Sequence, residues 1–319
     1  MTNRLIIGVD IGGTKVAAGL VDAAGEISHK TRVPMVVTAD AEKGFAAVEA
    51  AVSAIFDDAP DARGAVKGIG ICSPGPLDPK TGVVLNPPNV PCWRNFPLAA
   101  ATERAFGVKA RVDNDANAAG LAEVLWGAAA GYRNVFYATL GTGIGTGIVF
   151  DKRIYHGRTG SAAEGGHVTI DYNGPLCGCG KRGCIEALCS GPAIAARARG
   201  MLAANGGSKI LDLAGGSTAQ VRAEHVGQAW REGDALARRV LEETAHLLAI
   251  WLGNIVDLLE PDVMVVGGGV AELMSSFFGR ILEEIPKWSI NPRAGEIPLV
   301  MARYGADAGI AGAAALCGS

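Results

Sequence analysis

Short apolar, β-branched runs separated by glycine turns occur in two stretches of the chain, and each stretch begins with the same arrangement. Residues 5–11 and 16–21 predict two strands, and a third strand at about 26–33 completes an antiparallel meander. After Gly131 the pattern restarts, with strand-forming runs on both sides of the segment GTGIGTG. Two similar α/β halves, each opening on a meander with a glycine turn, indicate two lobes around a cleft.

Helical spacing of apolar residues predicts the elements that pack on these strands. In residues 41–57, for example, Phe45, Val48 and Val52 recur on one helical face. The same reasoning predicts helices over 98–106, 116–126, 183–202, 226–259 and 307–317, strands over 66–72, 109–113 and 261–269, and a mobile polar loop over 205–219. Helices and strands that alternate in this way are typical of an α/β fold.

Glycine is over-represented, since 45 of the 319 residues are glycine against a usual share of about 7%. The excess lies in clusters beside apolar runs, as expected where backbone approaches a ligand closely. The net charge of −3 gives no general attraction to nucleic acid or anionic lipid. No segment reads as a membrane span, and the N-terminus runs into a strand without a cleavage site, so we expect a cytoplasmic protein.

One short segment carries a complete set of metal ligands. Residues 164–186, EGGHVTIDYNGPLCGCGKRGCIE, place one histidine and three cysteines between Glu164 and Glu186. One imidazole and three thiolates fill the tetrahedral shell of a structural zinc. The predicted zinc ligands are His167, Cys177, Cys179 and Cys184. An odd cysteine count in a reducing compartment argues against a disulfide framework. The remaining cysteines, which we expect to be ordinary buried residues, are Cys72, Cys92, Cys189 and Cys317.

Three glycine turns follow apolar strands and could present backbone N–H groups to an anion. The first, DIGGTK at Asp10–Lys15, is not a Walker loop, because the GxxxxGK[ST] spacing is absent, and alone it is more typical of a hairpin turn. The second is LGTGIGTG at Leu140–Gly147. The third, VVGGGV at Val265–Val270, suits a base or ribose lying against the backbone. Asp10, at the end of the first strand, could hold Mg²⁺ through water.

The strand predicted over 109–113 ends at Asn114 and Asp115, where a helix begins. A carboxylate in this position can be a helix N-cap. It can also be a general base, because the carboxyl ends of strands face the ligand cleft in α/β folds. In that role Asp115 would take the proton of a sugar hydroxyl while the oxygen attacks a phosphoryl group. Both interpretations stay open on these residues alone.

Taken together and in order, the motifs resemble those of the ROK family of sugar kinases and sugar-responsive repressors. They are DIGGTK, PGP at Pro74–Pro76, NDAN, LGTGIGTG, EGGH and CGCGKRGCIE, and the resemblance runs from residue 6 to the end of the chain. It implies the two-lobed actin/hexokinase/Hsp70-like ATPase fold with a cleft between the lobes. It also implies an ATP-dependent hexose kinase with Mg²⁺ and structural Zn²⁺, and with glucose O6 as the favoured acceptor. Fructose, N-acetylglucosamine and N-acetylmannosamine remain open as substrates.

The resemblance assigns roles to single residues, with Asp115 as the catalytic base. The implied sugar-binding residues are Gly75, Asn89, Asn114, Asp115, Glu164, His167 and Glu186, of which His167 is also a zinc ligand. The residues implied to contact Mg-ATP are Asp10, Gly12, Gly13, Thr14, Lys15, Thr142 and Gly143, with Gly267 and Gly268 at the adenosine.

The resemblance also implies a smaller lobe formed by 1–117 with about 307–319, and a larger lobe, 118–306, that carries the zinc loop. We expect a homodimer, for which apolar helices near 235–259 could supply the interface. The competing class is a transcriptional repressor, whose DNA-binding domain precedes the kinase-like lobes. Because DIGGTK begins at residue 10 and the net charge gives no basic patch, we expect the kinase and no nucleic-acid or membrane partner.

Overall fold

The computed structural model describes residues 5–35, 38, 40–205 and 207–318. The chain divides into two units. The first unit comprises Met1–Tyr137, Gly147–Ala163 and Ala302–Ser319, and the second comprises Ala138–Thr146 and Glu164–Met301. The lobe boundaries at 117 and 306 stay predictions.

Twelve strands and eleven helices are found in the described residues. The strands are β1 Leu5–Ile11, β2 Lys15–Val21, β3 Ile27–Pro34, β4 Val66–Cys72, β5 Leu77–Asp78, β6 Val83–Val84, β7 Ala110–Asp113, β8 Asn134–Leu140, β9 Ile144–Phe150, β10 Arg153–Ile154, β11 Val263–Gly267 and β12 Leu299–Met301. The helices are α1 Ala41–Asp58, α2 Leu98–Phe106, α3 Asp115–Leu125, α4 Ile185–Cys189, α5 Gly191–Asn205, α6 Lys209–Leu213, α7 Ala223–Arg231, α8 Ala235–Leu259, α9 Gly269–Met274, α10 Phe278–Glu284 and α11 Ala308–Gly318.

The first unit is built on a five-stranded sheet with the order β3–β2–β1–β4–β7. The strands β1, β2 and β3 form the predicted antiparallel meander, whereas β1, β4 and β7 run parallel. Asp10 near the end of β1 pairs with Cys72 at the end of β4, and Cys72 pairs with Asp113 at the end of β7. The carboxyl ends of three parallel strands therefore meet at one edge of this sheet.

Alternate residues of β1 enter two different parts of the core, as the two-residue period of a strand requires. Ile7 and Val9 lie in the cluster that contains the apolar side chains of α1, and Ile6 lies in the cluster that contains Ile310 of α11. The helix α1 begins where the side chain of Asp40 accepts hydrogen bonds from backbone N–H groups of its first turn. The sheet is thus covered by helices on both faces.

Two glycines allow α11 to pack directly on the backbone of the sheet. A Cβ at Gly8 would lie 2.0 Å from the carbonyl oxygen of Ile310, and a Cβ at Gly70 would lie 1.7 Å from that of Ala313. Since α11 is rich in alanine and glycine, helix and sheet approach closely. The helix α3 packs against α11 in turn, so the C-terminal helix helps to fix the position of α3.

A second five-stranded sheet has the order β10–β9–β8–β11–β12, with β11 and β12 parallel. In the second unit the longest helix is α8, with 25 residues. Its Trp251 is fully buried, and the indole N–H donates a hydrogen bond to the carbonyl oxygen of Gly165 (3.1 Å). The helix α8 thereby supports the segment that follows Glu164.

Two predicted elements differ from the structure. The helix predicted over 183–202 is interrupted at Ser190, which has extended backbone, and α5 starts afresh with Pro192 in its first turn, where a missing N–H costs nothing. The loop predicted over 205–219 contains α6, whose N-terminus is capped by the hydroxyl of Ser208. Residue 206 lies outside the described residues.

The other predicted helices and strands are confirmed within one to three residues at most ends. Among the residues that the structure describes, no helix combines the length and the apolar character needed to cross a membrane.

Candidate active site

The carboxyl edge of the first sheet gathers the residues predicted for catalysis. Asp10 lies near the end of β1, Asp115 follows β7, and the turn that contains Gly75 follows β4 between them. Ser73 in this turn donates a backbone hydrogen bond to the carbonyl oxygen of Asp113 (3.0 Å), which keeps the turn beside the strand that leads to Asp115. This edge is where open α/β sheets bind their ligands.

Asp115 is the first residue of α3, and it is not the N-cap. The cap is Asn114, whose side-chain oxygen accepts hydrogen bonds from the N–H groups of Ala116 (2.9 Å) and Asn117 (3.3 Å). Asp115 is exposed to solvent, yet the protein around its carboxylate reduces the hydration of the charged form. Desolvation raises the pKa of Asp115, and a hydrogen bond from the N–H of Ala116 opposes the rise. The carboxylate therefore holds a proton more readily than an ordinary aspartate.

Asp10 is a second carboxylate with a perturbed ionisation. Burial and repulsion from Asp115 raise the pKa of Asp10 to about 6, although attraction to Lys15 works against the rise. A Cβ at Gly309, in the first turn of α11, would lie 2.3 Å from Cγ of Asp10, so only glycine fits there. Two carboxylates that disfavour each other's charge suit a divalent cation, and the residues present fit Mg²⁺.

The DIGGTK turn shows the close backbone approach for which its glycines are suited. The N–H of Gly12 donates to the carbonyl oxygen of Lys15 (2.9 Å) and closes the turn between β1 and β2. A Cβ at Gly13 would lie 3.1 Å from the carbonyl oxygen of Asn89. Thr14 and Lys15 are exposed at the same turn. The structure thus brings Asn89, predicted at the sugar, next to the turn predicted to bind phosphate.

In the second unit two glycine turns lie side by side. Gly268 has a φ of +90°, and its Cβ would lie 2.4 Å from the carbonyl oxygen of Leu140. Next to these turns a cavity of about 810 Å³ has a size typical of small-molecule sites. Of the residues predicted to bind nucleotide here, Thr142 lines the cavity, while Gly143, Gly267 and Gly268 form the adjoining turns.

Several charged residues that line this cavity were not predicted from the sequence. They are Arg199 in α5, Arg222, Glu224 and Arg231 in or beside α7, and Glu272 in α9. Arginine can hold phosphate in a bidentate manner or stack on a base. No motif joins these residues in the sequence, and charges on a predicted helix are common on any solvated face. Their charge pattern alone was therefore too weak a signal to predict a binding site.

The four predicted zinc ligands come together. Their ligand atoms all lie within 4.8 Å of one another. Sγ of Cys177 is 3.6 Å from Nδ1 of His167, and Sγ of Cys179 is 3.6 Å from Sγ of Cys184. With Zn–S bonds of about 2.3 Å, tetrahedral geometry separates ligand atoms by about 3.7 Å. The distances and the donor set therefore fit a four-coordinate zinc.

The side chain of Glu186 joins this cluster to the LGTGIGTG turn. Its Oε2 accepts a hydrogen bond from the N–H of Ile144 (2.9 Å), and a Cβ at Gly143 would lie 2.7 Å from the same oxygen. The thiol of Cys177 approaches Oε1 (3.7 Å). His167 turns Nδ1 toward Cys177, so its Nε2 faces away from that cysteine.

Glu164 is exposed and precedes one turn of 3₁₀ helix formed by the sequence GGH. A Cβ at Gly166 would lie 1.9 Å from the carbonyl oxygen of Ile144, so this position requires glycine. The N–H of Gly165 donates to Oγ1 of Thr146 (2.8 Å). Glu164 and His167 thus flank two glycines whose backbone packs tightly on β9.

Residues 6–319 match the model of the ROK family, and the chain belongs to that family. The match covers the same span as the motifs, so the family expected from the sequence is confirmed.

Similar proteins extend over nearly the whole chain. A glucokinase from Thermotoga maritima is 34% identical over 318 residues, which cover 99% of this chain and 98% of that protein. An N-acetylmannosamine kinase from Escherichia fergusonii is 33% identical over 310 residues, or 97% of each. The crystal structure of a ROK family glucokinase from Streptomyces griseus in complex with glucose and AMPPNP is 36% identical, with a TM-score of 0.81 and 98% of both chains covered. The expected α/β fold of the actin/hexokinase/Hsp70 type is confirmed.

Proposed function

We propose that this protein is an ATP-dependent hexose kinase that transfers the γ-phosphoryl group of ATP to O6 of glucose. The observation that carries the proposal is the position of Asp115, which follows the carboxyl end of β7 and whose pKa is raised by desolvation. Because Asn114 caps α3, the carboxylate of Asp115 is not needed as the cap. The similarity to glucokinases over the whole chain supports the same reaction.

In the proposed reaction Asp115 accepts the proton of O6 as this oxygen attacks the γ-phosphorus. The bond between the γ-phosphorus and its bridging oxygen breaks, and ADP leaves with the electron pair. The raised pKa makes Asp115 a better proton acceptor than a surface aspartate. Asn114, Gly75 and Asn89 would contact the sugar.

The nucleotide would lie against the glycine turns. Gly12, Gly13, Thr14 and Lys15 of the first turn and Thr142 and Gly143 of the second would meet the phosphates. The adenosine would occupy the cavity beside Gly267 and Gly268, where the arginines and acids that line it offer polar contacts. Asp10 would hold Mg²⁺ through water, and that ion supplies charge neutralisation at the phosphate oxygens when bound.

Structural zinc would hold the sugar-binding side chains of the second unit. With Nδ1 of His167 directed at the metal ligands, Nε2 can contact a sugar hydroxyl. Glu186, fixed by the N–H of Ile144, and Glu164 would accept hydrogen bonds from further hydroxyls. Carboxylates and an imidazole suit a polyhydroxylated substrate because they are strong hydrogen-bond acceptors.

Cellular context and assembly extend the proposal. Three reduced cysteines as metal ligands and ATP as the donor fit the cytoplasm and a role in carbohydrate metabolism such as glycolysis. Leu258 at the end of α8 and the nearby Ile290 are large apolar residues that are 74% and 93% exposed. This patch supports the proposed homodimer, with α8 at its interface.

A coupled assay of ADP release across hexoses and N-acetylhexosamines tests the function. We expect the highest kcat/KM with glucose. N-acetylmannosamine is the second candidate, because the kinase for that sugar is almost as similar to this chain as the glucokinases are. Release of ADP with none of these sugars would contradict the proposal.

A further inference from the structure

Asp113, two residues before Asp115, is a buried carboxylate for which the proposed reaction has no role. Its side chain is 5% exposed. Oδ1 accepts hydrogen bonds from the N–H of Asn114 (2.7 Å) and from Nδ2 of Asn117 (3.2 Å). Oδ2 lies 2.6 Å from Nε2 of His156. Both carboxylate oxygens are therefore engaged inside the protein.

These contacts tie three segments of the first unit together. Asp113 ends β7, Asn114 and Asn117 belong to the cap and first turn of α3, and His156 follows β10. His156 is itself anchored, because its carbonyl oxygen accepts hydrogen bonds from the N–H groups of Gly160 (3.1 Å) and Ala162 (3.2 Å). The Asp113–His156 pair thus braces the junction between strand and helix at which Asp115 stands.

We propose that Asp113 and His156 are positioning residues for Asp115. The inference rests on the proposed function, in which Asp115 is the base. Without the imidazole, Oδ2 of Asp113 would be a buried carboxylate oxygen without its partner, and the junction would relax to hydrate it. A displacement of about 1 Å at a reacting group can lower the rate by about 100-fold.

The surroundings of His156 provide a direct test. Its side chain is 30% exposed and lines a cavity of about 1070 Å³ in the first unit. Truncation of this side chain leaves a gap that opens onto the cavity, so free imidazole can reach Asp113. A residue that served stability alone would give no gain in kcat from added imidazole.

The experiment compares His156→Ala with His29→Ala. His29 pairs with Asp58 at the same 2.6 Å and in the same unit, but both partners are more exposed. For His156→Ala we expect kcat to fall about 10- to 100-fold, with KM for glucose and ATP changed by less than about threefold. Free imidazole should restore kcat at least about threefold, and His156→Gln should retain more activity than the alanine variant. His29→Ala should behave as the wild type and ignore imidazole.

Amide hydrogen exchange of the first turn of α3 gives a second readout that needs no activity. His156→Ala should speed exchange there, imidazole should slow it again, and His29→Ala should leave it unchanged. An inactive wild type would refute the proposed function, and the exchange data would still decide whether the pair holds the junction. Unchanged exchange in His156→Ala, or an unchanged kcat in an active enzyme, would overturn the inference.

Discussion

The junction at Asp115 and the segment 164–186 are stabilised in different ways. The junction stands between a parallel strand and an 11-residue helix that packs on α11. The segment 164–186 has one turn of 3₁₀ helix, isolated bridges and the start of the five-residue α4. Tyr172 and Leu176 of this segment are 81% and 67% exposed, so these two large side chains contribute little to a core. The segment instead contains the cluster of His167, Cys177, Cys179 and Cys184.

This difference predicts how each region responds to change. Where sheet and helix fix a catalytic group, a single substitution can remove the chemistry and leave the fold intact. If the proposed zinc holds segment 164–186, its removal should disturb local folding and ligand binding together, because the binding energy of the metal is folding energy. Substitutions in the two regions should therefore give different patterns of loss.

Asp115→Asn should have the largest effect. Loss of the proton acceptor should lower kcat at least about 1000-fold, while glucose binding changes by less than about threefold because the shape of the side chain is kept. Steady-state ADP release and calorimetric titration with glucose would measure the two quantities. Asp151→Asn, at an exposed carboxylate paired with Arg133 (2.6 Å), is the matched control and should retain full kcat. A kcat near that of the wild type would remove Asp115 as the base.

Removal of the proposed zinc should have the next largest effect, and it should weaken sugar binding more than the chemical step. Cys179→Ser, or metal removed by a chelator, should raise KM for glucose at least about tenfold and lower Tm, because Glu186 and His167 lose their support. Metal content, Tm and KM would be measured on the same samples.

Cys317→Ala, which changes a cysteine of the first unit, should keep the metal and the wild-type KM. Metal-free protein that binds glucose unchanged would show that the segment 164–186 holds its shape without an ion.

The sequence predicted the parts of this comparison that local patterns encode. The strands β1 and β2 were predicted because β-branched runs flank a glycine turn. The clustering of His167, Cys177, Cys179 and Cys184 was predicted because their spacing is compact. Asp115 was predicted as a possible cap or base, and the structure shows that Asn114 takes the capping hydrogen bonds.

Contacts between distant parts of the chain could not be predicted. Asp113 and His156 are 43 residues apart, and neither has a local signal for the other. Gly8 and Gly70 resemble ordinary strand glycines until α11, from the end of the chain, is placed on them. Sequence patterns therefore identified candidate reactive groups, whereas contacts between distant segments came only from the structure.

Asp10→Asn should show that the carboxylate of Asp10, at the same sheet edge as Asp115, lowers the stability of the folded protein. The folded pKa of about 6 lies above the ordinary 3.8, so the folded state binds the proton more tightly and loses stability as pH rises from about 4 through 6. Above this range the asparagine variant should be more stable by about 1–3 kcal/mol, and near pH 4 the difference should vanish.

Urea unfolding between pH 4 and 8 without added magnesium would measure the effect of Asp10→Asn. Asp61→Asn, at an exposed aspartate, should follow the wild-type pH profile. The prediction would be contradicted if the difference in unfolding free energy between Asp10→Asn and the wild type were the same at pH 7.5 as at pH 4.

The smallest effect concerns the backbone beside Glu164, where tight packing would add to the support from the proposed zinc. A Cβ at Gly165 would lie 2.8 Å from Oγ1 and 3.2 Å from Cγ2 of Thr146, so Gly165→Ala should be destabilising. Thr146→Ala removes both atoms, and the double variant should be more stable than the sum of the single changes by about 0.5–1.5 kcal/mol. Free energies of unfolding from urea titrations would give this coupling. Gly200→Ala, at a helical position with open space for a Cβ, should show no coupling to Thr146→Ala. If the effects of Gly165→Ala and Thr146→Ala were additive, the backbone at Gly165 would shift freely. The proposed zinc, and not this packing, would then fix the segment.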